Sequence, residues 1–228
     1  MRLVFTAVLV LLGTASAELL FSDDFDDGNA DGWLEFLTGA EYTVENGWYR
    51  MTHTDPDEAS AISTNGDQAG AMSVADYSMR VEVSAEAGQI LVAVRYNVAR
   101  YTCYFFAINP EDDYIAIARS DGLGTPVTLS ANAYELGYGE EYWARLEVCG
   151  NLLGAKIWQG TVSDEPANWT LIANDDTYAG PGSIGLGGHD DDEGGSADLD
   201  VRYDNVEVFD DVSLDFDQST WGSVKAAN

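Results

Sequence analysis

Positive charge is what this sequence has least of. Ten lysines and arginines stand against 40 aspartates and glutamates, a formal net charge of −30, and the only lysines are Lys156 and Lys225. Such a polyanion is repelled by nucleic-acid phosphates and by anionic membrane surfaces, and no basic stripe overrides this, so nucleic-acid binding is excluded. Cysteine and histidine are also scarce. With two of each, no CxxC and no ligand spacing, a zinc site and thiol catalysis are excluded. Past the first dozen residues there is no apolar run near the ~20 residues that a spanning helix needs. A period of 3.6 is missing until the last twenty residues, and neither a G-x-S-x-G elbow nor a P-loop occurs.

The opening segment, MRLVFTAVLVLLGTASA, has one positive charge at Arg2, an apolar run from Leu3 to Leu12, and Ala15 and Ala17 in the A-x-A pattern of a signal-peptidase site. This predicts a signal peptide over residues 1–17 and an exported, soluble product whose mature chain does not insert in a membrane. Export bears on Cys103 and Cys149. An isolated pair in an oxidising compartment predicts one disulfide, worth about 4 kcal/mol for so long a loop; two buried thiols are the alternative. The acids are scattered among apolar segments, and 46% hydrophobic residues are ample for a core, so disorder does not explain the charge. Two causes remain: cation binding at specific clusters, or a surface suited to high salt, where screening removes self-repulsion.

The dominant period along the chain is two. In SMRVEVSAE, Met79, Val81 and Val83 share one face, and in WARLEV so do Ala144, Leu146 and Val148. QILVAVRYNV and YTCYFFAI are apolar on both faces, which suits strands in the middle of stacked sheets, with VARY as a short hairpin between them. About a dozen short strands, separated by turns rich in Gly, Asn and Asp, predict an all-β fold: a two-sheet antiparallel β-sandwich over residues 18–210, followed by a tail at 211–228. In LDVRYDNVEVF the inward parity changes between Tyr203 and Val206, so a bulge is expected at Asp204 and Asn205.

DDFDDGNADGW, YTVENGWYRM, VAVRYNVARYTCYFFAI, YWARLEVCGNLLGAKIW, GSIGLGG and YDNVEVF occur in the order seen in concanavalin A-like lectin/glucanase domains. Over roughly residues 20 to 209 the chain resembles the laminin G-like jelly-roll modules of secreted bacterial proteins. The resemblance implies two curved antiparallel sheets whose first and last strands are neighbours, and a structural calcium where those termini meet. Asp27-Gly28-Asn29-Ala30-Asp31-Gly32 has the alternating oxygens of a calcium loop, but Thr38 stands where an EF-hand needs Glu. The surviving expectation is one calcium held by Asp24, Asp27, Asp31 and Asp204. An acidic turn, with Phe25 and Trp33 packing inward, is the alternative. A second cluster, Asp190, Asp191, Asp192 and Glu193, reads as a solvated loop or a calcium-dependent ligand site.

The glucanase branch of that superfamily carries E-x-D-x-E or E-x-D-x-x-E, placing acid and nucleophile on one strand face about 5 Å apart. Here EVSAE offers Glu82 and Glu86 without the central acid, so enzyme activity is not expected, and a sugar hydrolase of the keto-disaccharide type is the enzymatic alternative. Binding is favoured: an extracellular glycan, or another cell-envelope component, held by aromatic platforms. Candidate ligand residues are Trp158 and Trp169, flanking QGTVSDEPAN, and Arg95, Tyr96 and Tyr101 around the VARY hairpin. Inside an apolar strand Arg95 needs an anionic partner or a solvent-facing position. NWT at residues 168–170 matches a glycosylation sequon. In the tail, Ser219 or Thr220 would cap a short segment with Trp221, Val224 and Lys225, suited to docking or export handling.

Overall fold

Alternating strands of this kind can bury one face each only by stacking, and they do so here. The computed structural model describes residues 17–35, 40–53, 60–65, 72–122, 125–190, 198–210 and 212. The first sheet runs, in spatial order, β13 (Leu171–Asn174), β12 (Leu152–Trp158), β11 (Tyr142–Cys149), β6 (Tyr77–Ala87), β15 (Leu199–Phe209), β4 (Trp48–His53) and β3 (Glu41–Glu45), with β1 (Leu19–Asp23) also paired to β15. The second runs β10 (Val127–Ala133), β9 (Tyr114–Asp121), β8 (Thr102–Asn109), β7 (Gln89–Asn97), β14 (Ser183–His189), β5 (Ser60–Asn65) and β2 (Trp33–Glu35). The fold is the expected antiparallel β-sandwich. Among the described residues no helix is long and apolar enough to cross a membrane. The proposed signal segment, the tail with Trp221, and Asp191, Asp192 and Glu193 lie outside the described residues.

The periodicity places the core. Met79, Val81 and Val83 of β6 and Ala144, Leu146 and Val148 of β11 pack with Val92, Val94, Tyr104, Phe106, Ile115 and Ile117 of the facing sheet, and all are buried. Each large side chain among them contributes roughly 1.5–3 kcal/mol by leaving water. The first and last strands are neighbours, with Phe21 opposite Val208 and Asp23 opposite Val206. The bulge falls where the parity change requires it: the β15 register shifts against β6 between Asp204 and Glu207, and Asn205 takes φ 50°.

The disulfide expected between Cys103 and Cys149 is not formed; both thiols are free. Parity is the reason. Cys103 alternates with the inward Tyr104 and Cys149 with the inward Val148, so the two side chains leave their sheets on opposite outer surfaces of the sandwich. Burial pushes the Cys103 thiol up to about 12, which keeps it protonated and unreactive at neutral pH.

Candidate binding face and its end pocket

The outer face of an antiparallel sheet ordinarily turns polar. The outer face of the second sheet does not. Gly187, Leu91, Ala107, Ala116 and Ala131 form one row across β14, β7, β8, β9 and β10, and Gly185, Ala93, Phe105, Ala118 and Thr128 form the next. Ala93, Phe105, Ala107, Ala116 and Ala118 make a hydrophobic cluster separate from the core, together with Tyr96 and Cys103. The double apolar parity of β7 and β8 is thus explained differently from the expectation. These strands lie mid-sheet, but their second apolar face is a floor of small residues on the outside. The floor is bordered at one end by polar pairs, His189–Gln89 and Asn109–Tyr114, where the Gln89 amide donates to the Tyr114 hydroxyl at 2.7 Å.

At the other end lies a pocket of about 270 Å³, lined by Arg95, Asn97, Arg100, Thr102 and residues 177–181. The β7–β8 hairpin forms one wall, with Tyr101 at φ 57° and 38% exposed. The segment after β13 forms the other, pinned by side chains. Arg119 makes a bidentate pair with Asp121 and also reaches Asp175 and Thr177. Tyr178 donates to Asp121 at 2.7 Å, and its ring packs 5.5 Å from Tyr104. The hydrogen bonds from Arg119 and then Tyr178 hold the Asp121 carboxyl down at about 2.

The structure gathers three of the sequence candidates at this end and gives them different roles. Arg95 finds the anionic partner its setting demanded: its guanidinium meets the Asp76 carboxylate at 2.9 Å and donates to the carbonyls of Ala75, Gly150 and Tyr178. With those donors engaged and the residue buried, Arg95 builds the pocket and has little left for a ligand. Tyr96 is buried on the floor opposite Ser183, and only Tyr101 is exposed. Arg100 was not singled out by sequence. Of the eight described cations, Arg50, Arg80, Arg95, Arg119, Arg145, Lys156 and Arg202 each pair with a carboxylate, and Arg100 does not. In so acidic a chain that isolation is the informative signal, and it appears only in three dimensions.

Trp158 and Trp169 sit on the outer face of the other sheet, remote from this pocket by topology. Trp158 stacks on Trp143 at 6.3 Å and donates to the Thr161 carbonyl, while Trp169 covers Lys156 at 4.5 Å. Lys156 and Arg145 both pair with Glu165, so these tryptophans roof an ion-pair network that fastens the segment between β12 and β13.

The terminal acids are also redistributed. Asp27 accepts from the Asn29 amide and Asn29 from the Asp31 amide, so this stretch is spent on its own turns. The half-buried Asp204 carboxyl feels Glu82, Asp26 and Asp24, so Asp26 and Glu82 replace Asp27 and Asp31 in the acidic neighbourhood. Among the described residues no three acids, histidines or cysteines surround one metal position. Burial, followed by these neighbouring charges and opposed by the Asn205 amide, pushes Asp204 up to about 6. A carboxyl raised in the fold contributes stability that is complete below its ordinary value and lost as pH rises through the raised one. In chelator the melting temperature is expected to fall between about pH 4 and pH 6.5 and to fall less in Asp204→Asn; equal slopes in scanning calorimetry contradict this assignment.

No family model and no curated protein matches the chain. Solved structures do. An endo-β-1,3(4)-glucanase of family GH16 superposes with a TM-score of 0.60 at 11% identity, over 86% of this chain and 92% of that one. The chain shares its fold with concanavalin A-like lectin/glucanase sandwiches. The carbohydrate-binding module CBM66 from Bacillus subtilis has the same sandwich (TM-score 0.58, 12% identity, 78% and 95% covered), as does the lumenal domain of VIP36 in a Ca²⁺/Man3GlcNAc-bound form (0.57, 11%, 90% and 94%). At such identities the likeness is one of fold. The concanavalin A-like neighbours include both binding proteins and glycoside hydrolases.

Proposed function

We propose that this concanavalin A-like sandwich is an exported glycan-binding module whose ligand lies along the Gly/Ala floor and ends in the pocket beside Arg100 and Tyr101. The observation that carries the reading is the outward apolar floor. An apolar sheet face of low-profile side chains, with Ala93, Phe105, Ala107, Ala116 and Ala118 3–9% exposed and a polar border at one end, suits the C–H faces and hydroxyls of a sugar chain. Small side chains let the chain approach the backbone, Asn97, Arg100, Thr102 and Thr177 supply hydrogen-bonding groups and Tyr178 an aromatic ring in the end pocket, and Tyr101 stands exposed on the adjoining hairpin. Binding neighbours of the same fold support this class. In a glycan array of residues 18–210, Tyr101→Ala and Arg100→Gln are each expected to weaken binding about ten-fold, the cost of roughly 1.4 kcal/mol, and Trp169→Ala to leave it unchanged. A folded protein that binds no glycan removes the reading.

The reading includes a structural calcium at the terminal junction, with Asp204 and Glu82 as the half-buried donors and the exposed Asp24 and Asp26 turning toward them. The observation behind it is the Asp204 carboxyl, which no described cation neutralises. Calcium is expected to raise the melting temperature of the wild-type chain at neutral pH and not that of Asp204→Asn.

One observation favours a second reading, glycoside hydrolysis. Asp204 and Glu82 are cross-strand partners, burial raises both carboxyls, and Trp143 lies opposite Glu82. A protonated acid beside a second carboxylate is what that chemistry uses. Calcium at the pair would hold both carboxylates ionised, so chelation would increase hydrolysis of a chromogenic glycoside under this reading.

A further inference from the structure

The opposite surface of the sandwich carries a second pocket, of about 350 Å³, lined by Glu45, Asn46, Trp48, Arg50, Glu86, Asp200 and Arg202. That volume is within the range of small-molecule sites, about 300–1,000 Å³. We propose that it is an independent site for an uncharged saccharide residue.

The walls are held in place before any ligand arrives. Asn46 and Gly47, at φ 55° and 83°, make the tight turn between β3 and β4 that sets Glu45 opposite Trp48. Arg50 is clasped by Asp200 through two hydrogen bonds of 2.7 and 2.6 Å, and Arg202 by Glu86, with the Arg202 guanidinium 5.9 Å from the Trp48 ring. Binding there freezes little that is not already fixed.

The chemistry of the lining selects the ligand by what remains unspent. An anion would face three carboxylates, Glu45, Glu86 and Asp200, while both arginines are already neutralised. A cation would have to displace those arginines from Asp200 and Glu86. A wholly apolar ligand would strand polar groups on every wall. Left over are the Glu45 carboxylate, 60% exposed and as far as 3.9 Å from Arg50, and the Asn46 side-chain amide and Trp48 indole N–H, which have no hydrogen-bond partner among the described residues. An acceptor, an amide that both donates and accepts, and an aromatic wall match a ring carrying several hydroxyls. The site lies on the eight-stranded sheet and the Gly/Ala floor on the seven-stranded one. Two saccharide sites on opposite faces would let one molecule bridge two chains, converting weak contacts into avidity.

The test follows the six tryptophan indole signals of the folded chain by proton–nitrogen NMR, with Trp48→Phe identifying the Trp48 resonance. The probes are methyl β-D-glucopyranoside, methyl β-D-galactopyranoside and sodium glucuronate. Expected is a saturable shift of the Trp48 signal with at least one neutral glycoside, weakened about five-fold by Asn46→Gly, which keeps the turn and removes one net hydrogen bond, and unchanged by Arg100→Gln. That last control separates this site from the pocket at the β7–β8 hairpin, so either can fail alone. No saturable shift with either glycoside, an equal response to glucuronate, or undiminished affinity in Asn46→Gly overturns the proposal.

Discussion

Replacing Arg95 with Met is expected to cost about 3–5 kcal/mol of folding stability, the range for breaking a buried, hydrogen-bonded charge pair. Arg95 is 3% exposed, yet its side chain reaches three separate parts of the chain: the segment before β6, the β11–β12 turn at Gly150, and the segment after β13 at Tyr178. Met fills part of the volume and satisfies none of the three carbonyls, each of which loses a charge-assisted donor. For a chain of this size the loss corresponds to roughly 10–15 °C in melting temperature. Lysine restores the charge but not the fork that reaches several acceptors at once, so Arg95→Lys is expected to recover less than half. A melting temperature within about 3 °C of wild type for Arg95→Met would show that water serves these carbonyls and that the joint is not structural.

Gly182→Ala should be comparably damaging, at about 3 kcal/mol or more, for a reason confined to the backbone. A Cβ at Gly182 would sit 2.5 Å from the Arg95 carbonyl carbon and 2.8 Å from both its Cα and the Tyr96 nitrogen. No side chain can swing aside to make room, so β7 and β14 would have to separate where β7 bulges and Arg95 itself takes φ 50°. Gly28→Ala is the control: its Cβ would meet nothing within 4 Å, and only its φ of 78° opposes the change, at about 1 kcal/mol. Because Gly182 and Arg95 belong to one joint, the double variant is expected to lose clearly less than the sum of the two in denaturant titrations. Strict additivity would mean that the two residues act independently.

The sandwich was readable from residues whose two faces differ. Met79, Val81 and Val83 against Arg80 and Glu82 leave one way to orient β6, and the parity change after Tyr203 left one place for the β15 bulge. Reading failed where both faces look alike. In β8, Cys103, Phe105 and Ala107 are as apolar as Tyr104, Phe106 and Ile108, so alternation gave no sign that the first three face outward or that Cys103 turns away from Cys149. The lining of the end pocket was harder still. That Arg95 would be consumed by carbonyls while its neighbour Arg100 stays unpaired depends on Gly150 and Tyr178, far away in sequence. The aspartates of the first turn are hard to sort by sequence because an Asx turn and a cation loop ask for the same alternating oxygens; here the Asn29 backbone amide donates to Asp27, while Asp204 feels the charges of Asp26 and Asp24.

The Gly/Ala floor has a thermodynamic consequence. Gly185, Gly187, Ala93, Ala107, Ala116 and Ala118 possess no rotatable side-chain bonds, so a ligand resting on them restrains nothing that was free before. A surface of lysines or glutamines would surrender up to 1.5–2 kcal/mol of rotamer entropy for each side chain it buried. For a glycan bound there as proposed, the ordering cost would fall mainly on the ligand, with Leu91 and Phe105 the larger side chains of the floor, and a stiff chain would profit more from this surface than a supple one of the same composition.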